Sequence, residues 1–159
     1  MRPFARFLLI VVLLPLAALA DIQLPRLLSD GVVLQRDTTT SLWGWADDRE
    51  RVEVFVDGVL AGSVVAEDGQ WRVGIGSYPA GGPHRIEVVG QNRAVIDDVL
   101  FGDVWIASGQ SNMVLPMARV RETFPNDIAT ADFPRIRHFT VPREQDFDAP
   151  REDLSAGAW

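Results

Sequence analysis

In the first half of the chain, short runs of alternating apolar and polar residues are separated by turn residues. Residues 51–56 end at Asp57–Gly58 and residues 61–66 end at Asp68–Gly69, and both dipeptides favour tight hairpins. We predict at least five strands, at residues 41–46, 51–56, 61–66, 71–75 and 85–90. Several short strands at this spacing predict an antiparallel β-sandwich, immunoglobulin-like or jelly-roll-like, over residues 21–98.

The pattern changes after residue 98. Residues 99–107 are almost continuously apolar, which is typical of a strand that is buried on both faces. Residues 116–131 predict a helix with a loop, and residues 136–141 predict a second strand. Strand, crossover and strand form the start of a parallel α/β sheet. The expected fold class is therefore β followed by α/β. Two strands cannot complete such a sheet, so we expect the second domain, at residues 99–159, to be incomplete. The chain is then either a fragment of a longer protein or a truncated product.

The N-terminus has the order of a secretory signal peptide. Arg2 and Arg6 supply positive charge, residues 7–14 are apolar, and Ala18–Leu19–Ala20 has the small-x-small pattern of a cleavage site. The apolar run is shorter than the roughly 20 residues that a permanent span needs, so no stable membrane span is expected after cleavage. We predict a signal peptide at residues 1–20 and a bacterial periplasmic or secreted product.

Composition removes several kinds of chemistry. The chain has no cysteine, which excludes disulfides, thiol nucleophiles and thiolate metal sites, and its two histidines cannot form a His-rich site. We therefore predict no metal and no cofactor. The formal net charge is -7, which argues against a nucleic-acid partner because phosphate binding needs a basic surface.

The candidate chemistry lies in Ser108–Gly109–Gln110–Ser111–Asn112–Met113, directly after the apolar run. A serine delivered by a buried strand onto a glycine turn is how some hydrolases expose a nucleophile. We assign Ser111 as the candidate nucleophile, with Gln110 and Asn112 orienting the loop. The alternative is that these three are ordinary residues of a turn at the end of a strand.

A serine hydroxyl is a weak nucleophile and needs a base, normally an imidazole that a carboxylate orients. The chain after Asn112 contains no plausible catalytic Asp–His pair. His138 lies in a predicted strand and is expected to be structural. His84 stands beside a Gly–Pro turn and is expected to be structural or exposed.

Several segments together resemble bacterial sialate O-acetylesterase-like proteins of the SGNH-hydrolase superfamily. The resemblance rests on residues 24–36, 43–46, 68–71, 98–105, 108–113, 134–141 and 157–159. It implies a serine carboxylic ester hydrolase that removes O-acetyl groups from sialic acid or related sugars. It also implies that Ser111 is the nucleophile, with its own backbone N–H as a candidate oxyanion donor and Gln110 and Asn112 beside it.

The chain departs from that family at two places that concern the chemistry. Val114 stands where the family usually has an acidic residue, and the family's late Asp-x-x-His block is absent. We therefore expect the 159-residue chain to be inactive alone, as the N-terminal portion of an esterase. Two alternatives stay open: a non-catalytic carbohydrate-binding or interaction module, and a truncated inactive product. Trp43, Trp45 and Trp71 could form a sugar-stacking platform, although core packing is the commoner use of such residues.

Overall fold

The computed structural model describes residues 21–159, so the predicted signal peptide lies outside the described residues. The described part is mostly β-sheet with few helices. The strands are β1 Val33–Gln35, β2 Thr39–Trp45, β3 Arg51–Val56, β4 Val59–Val65, β5 Gln70–Ser77, β6 Gly81–Val89 and β7 Arg93–Gly102. Two short 3₁₀ helices, η1 Ser111–Val114 and η2 Met117–Val120, and one helix, α1 Pro125–Ala129, follow. The five predicted strands are confirmed, with their ends shifted by a few residues.

The strands form two sheets. One has the order β1-β7-β6-β3-β4, in which β1 runs parallel to β7 and the other neighbours are antiparallel; the second is the antiparallel pair β2-β5. The β3–β4 hairpin turns at Asp57 and Gly58, whose φ angles are 50° and 79°. Both residues lie in the left-handed region that a tight hairpin turn requires, which explains the Asp-Gly dipeptide.

Both sheets contribute to one hydrophobic core. Buried side chains alternate with more exposed ones along β3 and β5. The most deeply buried of them are Leu42, Ile75, Ile86, Ile96, Val32, Val52, Val54, Val88 and Val99. The strands of both sheets therefore share one core.

The strand predicted at residues 99–107 is wrong. β7 begins earlier, ends at Gly102 and pairs with β6 and β1, so it belongs to the five-stranded sheet. Asp97 and Asp98 are both exposed between the buried Ile96 and Val99, and Asp98 has a φ of 57°. This irregularity shifts the alternation of buried and exposed side chains by one residue. In the sequence, the second half of one bent strand therefore resembles the start of a new strand. Val104, Trp105 and Ile106 are 43%, 86% and 95% exposed and lie in no strand.

The strand predicted at residues 136–141 is also wrong, because this segment has no regular structure. Instead it packs back onto the β-sheet part through Arg137. The guanidinium donates to the Gly31 carbonyl (2.8 Å) and to both carboxylate oxygens of Asp98 (2.9 and 3.0 Å). The indole N–H of Trp159 donates to the Leu27 carbonyl at 2.9 Å. These side chains fasten the end of the chain to the 27–31 loop and to the bend in β7.

Arg137→Ala is expected to loosen this attachment. The substitution removes charge-assisted hydrogen bonds from a side chain that is only 17% exposed, which costs about 1–3 kcal/mol. Limited proteolysis should then cut faster within residues 134–159, and urea unfolding should show lower stability. Arg135→Ala, at an exposed position two residues earlier, is the matched control and should leave both unchanged. Equal proteolysis of the two variants would contradict this role for Arg137.

Candidate functional site

The segment that carries Ser111 leaves the five-stranded sheet at the end of β7. Two contacts hold the chain where it leaves the sheet. Arg36 and Asp103 form an ion pair at 2.9 Å, and the Val104 N–H donates a hydrogen bond to the Gln35 side chain at 3.0 Å. The ion pair raises the pKa of Arg36, mainly through its hydrogen bond with Asp103. Both anchors lie in or next to β1, so the short parallel strand positions the start of the serine segment.

Ser111 is the first residue of η1 and is exposed to solvent, as are its neighbours Gln110 and Asn112. Gly109 precedes it at a close approach, since a Cβ there would lie 2.9 Å from the Met113 Cγ. A side chain at position 109 would therefore displace the Met113 side chain.

The backbone around Ser111 has the form of a helix start. The first hydrogen bond of the turn runs from the Met113 N–H to the Gln110 carbonyl at 3.0 Å. The N–H groups of Ser111 and Asn112 precede that bond and so have no partner within the helix. Donors of this kind can stabilise an oxyanion that forms on a carbonyl attacked by the serine.

Neither histidine contacts Ser111 in the part of the chain that the structure describes. His138 is exposed and lines a cleft of about 370 Å³ with Ile136, Thr140 and Trp159. His84 pairs through Nδ1 with the Asp57 carboxylate at 2.7 Å. Within residues 21–159, the chain does not supply a base beside the candidate nucleophile.

Sequence reasoning missed the Asp57–His84 pair. The two residues are 27 positions apart, and only the pairing of β3 with β6 brings them together. The His84 ring also packs edge-on against Phe101, with centroids 5.2 Å apart. Tyr78 stacks on the same phenyl ring at 4.4 Å, and burial raises the Tyr78 pKa. The Asp57–His84 pair, which we call the clamp, is a structural contact that joins the β3–β4 hairpin turn to β6.

The clamp predicts a pH dependence of stability. The His84 hydrogen bond, followed by the Arg85 backbone N–H, lowers the pKa of Asp57. A carboxyl whose folded pKa lies below its unfolded value of about 3.9 adds stability above that pH. This stability is lost as the pH falls through the lowered pKa. Asp57→Asn should remove the part of the stability that the wild type loses in acid through this carboxyl. The measurement is the free energy of unfolding in urea between neutral pH and about pH 3. Asp132→Asn, at an exposed position, should keep it; identical pH profiles for Asp57→Asn and the wild type would contradict the assignment.

The three tryptophans proposed as a platform have different environments. Trp71 is 3% exposed and belongs to the core, whereas Trp43 and Trp45 are only half-buried. All three line a second cleft of about 360 Å³, together with Gly44, Gln70, Arg72 and Glu152. Core packing thus explains Trp71 and part of the burial of Trp43, and it leaves Trp45 for a surface role.

A search of residues 21–159 for a metal site finds no group of three or more His, Cys, Asp or Glu side chains that could hold an ion. In the same residues, no helix is long and apolar enough to cross a membrane.

Two curated relatives that the chain matches have the same name. No family model matches the chain. It is 29% identical over 145 residues to the sialate O-acetylesterase of Homo sapiens, covering 81% of this chain and 27% of that protein. It is 33% identical over 90 residues to the same-named protein of Rattus norvegicus, covering 52% of this chain and 16% of the relative.

A solved structure agrees. A carbohydrate acetylesterase from Xanthomonas citri aligns with a TM-score of 0.79 and 39% identity, over 87% of this chain and 32% of that one. The chain therefore spans about a third or less of the length of each of these relatives. Over the part of their length that it spans, the chain is similar to sialate O-acetylesterases and to a carbohydrate acetylesterase.

Proposed function

We propose that this chain is the N-terminal portion of a serine esterase that removes O-acetyl groups from sialic acid or related sugars. The single observation that carries the proposal is Ser111, exposed at the start of a tight turn that β7 and its anchors position. The acetylesterase names of the human, rat and Xanthomonas citri relatives support the carbohydrate substrate.

In this proposal the two sheets form a small sandwich domain, and the segment after Gly102 begins an SGNH-type α/β domain. The domain division at residue 98 stays a prediction, with the qualification that β7 continues through that position to Gly102. We also propose export to the periplasm or beyond, after cleavage of residues 1–20.

The chemistry follows from the residues of the turn. The Ser111 hydroxyl attacks the acetyl carbonyl carbon and forms a new C–O bond. Its proton passes to a base that is not among the described residues in contact with Ser111. The Ser111 N–H, with Gln110 and Asn112 beside it, donates to the carbonyl oxygen as that oxygen becomes an anion. The base returns the proton to the sugar oxygen as the bond between that oxygen and the acetyl carbon breaks, which leaves an acetylated serine. Water then hydrolyses this ester to acetate and restores the Ser111 hydroxyl.

The experiment is acetate release from 9-O-acetylated sialic acid by the full-length product of the gene. Turnover that depends on Ser111 supports the esterase. Glycan binding without turnover selects the carbohydrate-binding or interaction module instead, and a product that does not fold selects the truncated inactive one.

A further inference from the structure

The cleft lined by tryptophans lies on the two-stranded sheet and is separate from the Ser111 turn. In the β2–β5 register, Trp43 is opposite Arg72 and Trp45 is opposite Gln70. Directly opposed residues of antiparallel strands share a face, and so do residues two apart on one strand. These four side chains therefore form one face, which we call the tryptophan face. Leu42 and Trp71 alternate with them and are buried in the core, although Trp71 also borders the cleft.

Burial separates the two aromatic side chains of this face. Trp43 packs partly against the core cluster, so its contribution to folding accounts for an aromatic side chain at this position. Trp45 is half-buried without belonging to that packing. Arg72 lies over the Trp43 ring, 5.6 Å from its centroid, and this cation–π contact holds the guanidinium at the surface. Trp45 is therefore the ring of this face that does not pack against the core cluster.

The polar side chains around the cleft supply both kinds of hydrogen-bonding group. Arg72 offers only donors, Glu152 offers acceptors, and Gln70 offers both. One positive and one negative group line the same space, so their charges offset. The volume of about 360 Å³ lies at the small end of the range for ligand clefts. An aromatic ring with a few convergent polar groups is the usual composition of such a site.

We propose that the tryptophan face binds a neutral glycan, with a pyranose ring stacked on Trp45. A pyranose has an apolar C–H face and hydroxyls that donate and accept, which matches a ring bordered by Arg72, Gln70 and Glu152. The offset charges favour a neutral sugar over an anionic one. The site would hold a sugar whether or not Ser111 cleaves an ester.

The test is calorimetric titration of the purified chain with three neutral disaccharides: lactose, cellobiose and maltose. We expect saturable binding of at least one. Trp45→Ala should raise its Kd by a factor on the order of ten or more, because truncating a central aromatic anchor has effects of that size. Glu152→Gln, at an exposed position, should also raise the Kd and leave the fold unchanged. Trp105→Ala is the matched control, since Trp105 is 86% exposed and does not line the cleft.

Binding of none of the three sugars would overturn the proposal. So would binding that Trp45→Ala and Glu152→Gln leave unchanged. Tighter binding of 6′-sialyllactose than of lactose would overturn the neutral-glycan assignment. Acetate release is not measured here, so failure of this proposal is distinguishable from failure of the esterase assignment.

Discussion

Ser111→Ala in the full-length protein is expected to lower the rate of acetate release from 9-O-acetylated sialic acid by about four orders of magnitude or more. Loss of the nucleophile removes the covalent step, and only substrate binding and oxyanion stabilisation then remain. Because Ser111 is exposed, the unfolding transition should stay at the wild-type denaturant concentration. The measurement is the initial rate for variant and wild type at matched concentrations of folded protein.

Two neighbouring variants sharpen this result. Ser108→Ala is the matched control, because Ser108 is an exposed serine of the same segment and should keep near-wild-type activity. Asn112→Ala should cost less than Ser111→Ala, since orientation or one oxyanion contact is worth about 10²–10³-fold. An inactive Ser108→Ala beside an active Ser111→Ala would move the nucleophile to position 108.

Phe101→Ala is expected to destabilise the chain by about 3–5 kcal/mol, the cost of removing a buried phenyl ring. Phe101 is 2% exposed and packs against both the Tyr78 ring and the His84 ring. The loss should appear as a large shift in the urea midpoint, with β-sheet circular dichroism lost in the same transition.

Phe147→Ala is the control for this prediction, since Phe147 is 89% exposed and should have little effect. The comparison also tests the position of β7. If the carboxyl half of β7 belonged to a second domain, Phe101→Ala would leave the main unfolding transition of the β-sheet part unchanged.

The sequence predicted the sheet-forming part well because its signals are local. Alternation in residues 51–56 and the Asp57–Gly58 turn identify a hairpin without knowledge of any distant residue. The end of β7 could not be recognised in this way. A bend at Asp98 breaks the alternation, and the apolar Trp105 and Ile106 extend the run although both are exposed. Hydrophobicity alone does not distinguish a buried strand from apolar residues that face solvent.

The candidate site was predicted only in part. The motif at Ser111 could be found because its residues are contiguous, and its role remains a prediction. The Asp57–His84 clamp depends on residues far apart in sequence, as does the attachment of Arg137 to Asp98. The tryptophan face could be defined only from the strand register. All three tryptophans line the cleft, as the sequence suggested, but Trp71 is buried in the core, and Trp43 and Trp45 lie opposite Arg72 and Gln70.

The central claim is that Ser111 is an activated nucleophile. The most direct test is peptide mass spectrometry of the full-length protein after reaction with a fluorophosphonate, in which an activated serine oxygen displaces fluoride from phosphorus. We predict that the adduct lies on Ser111 and that acetate release falls in proportion to the fraction modified. Loss of activity with the adduct on another residue, and Ser111 unmodified, would contradict the claim.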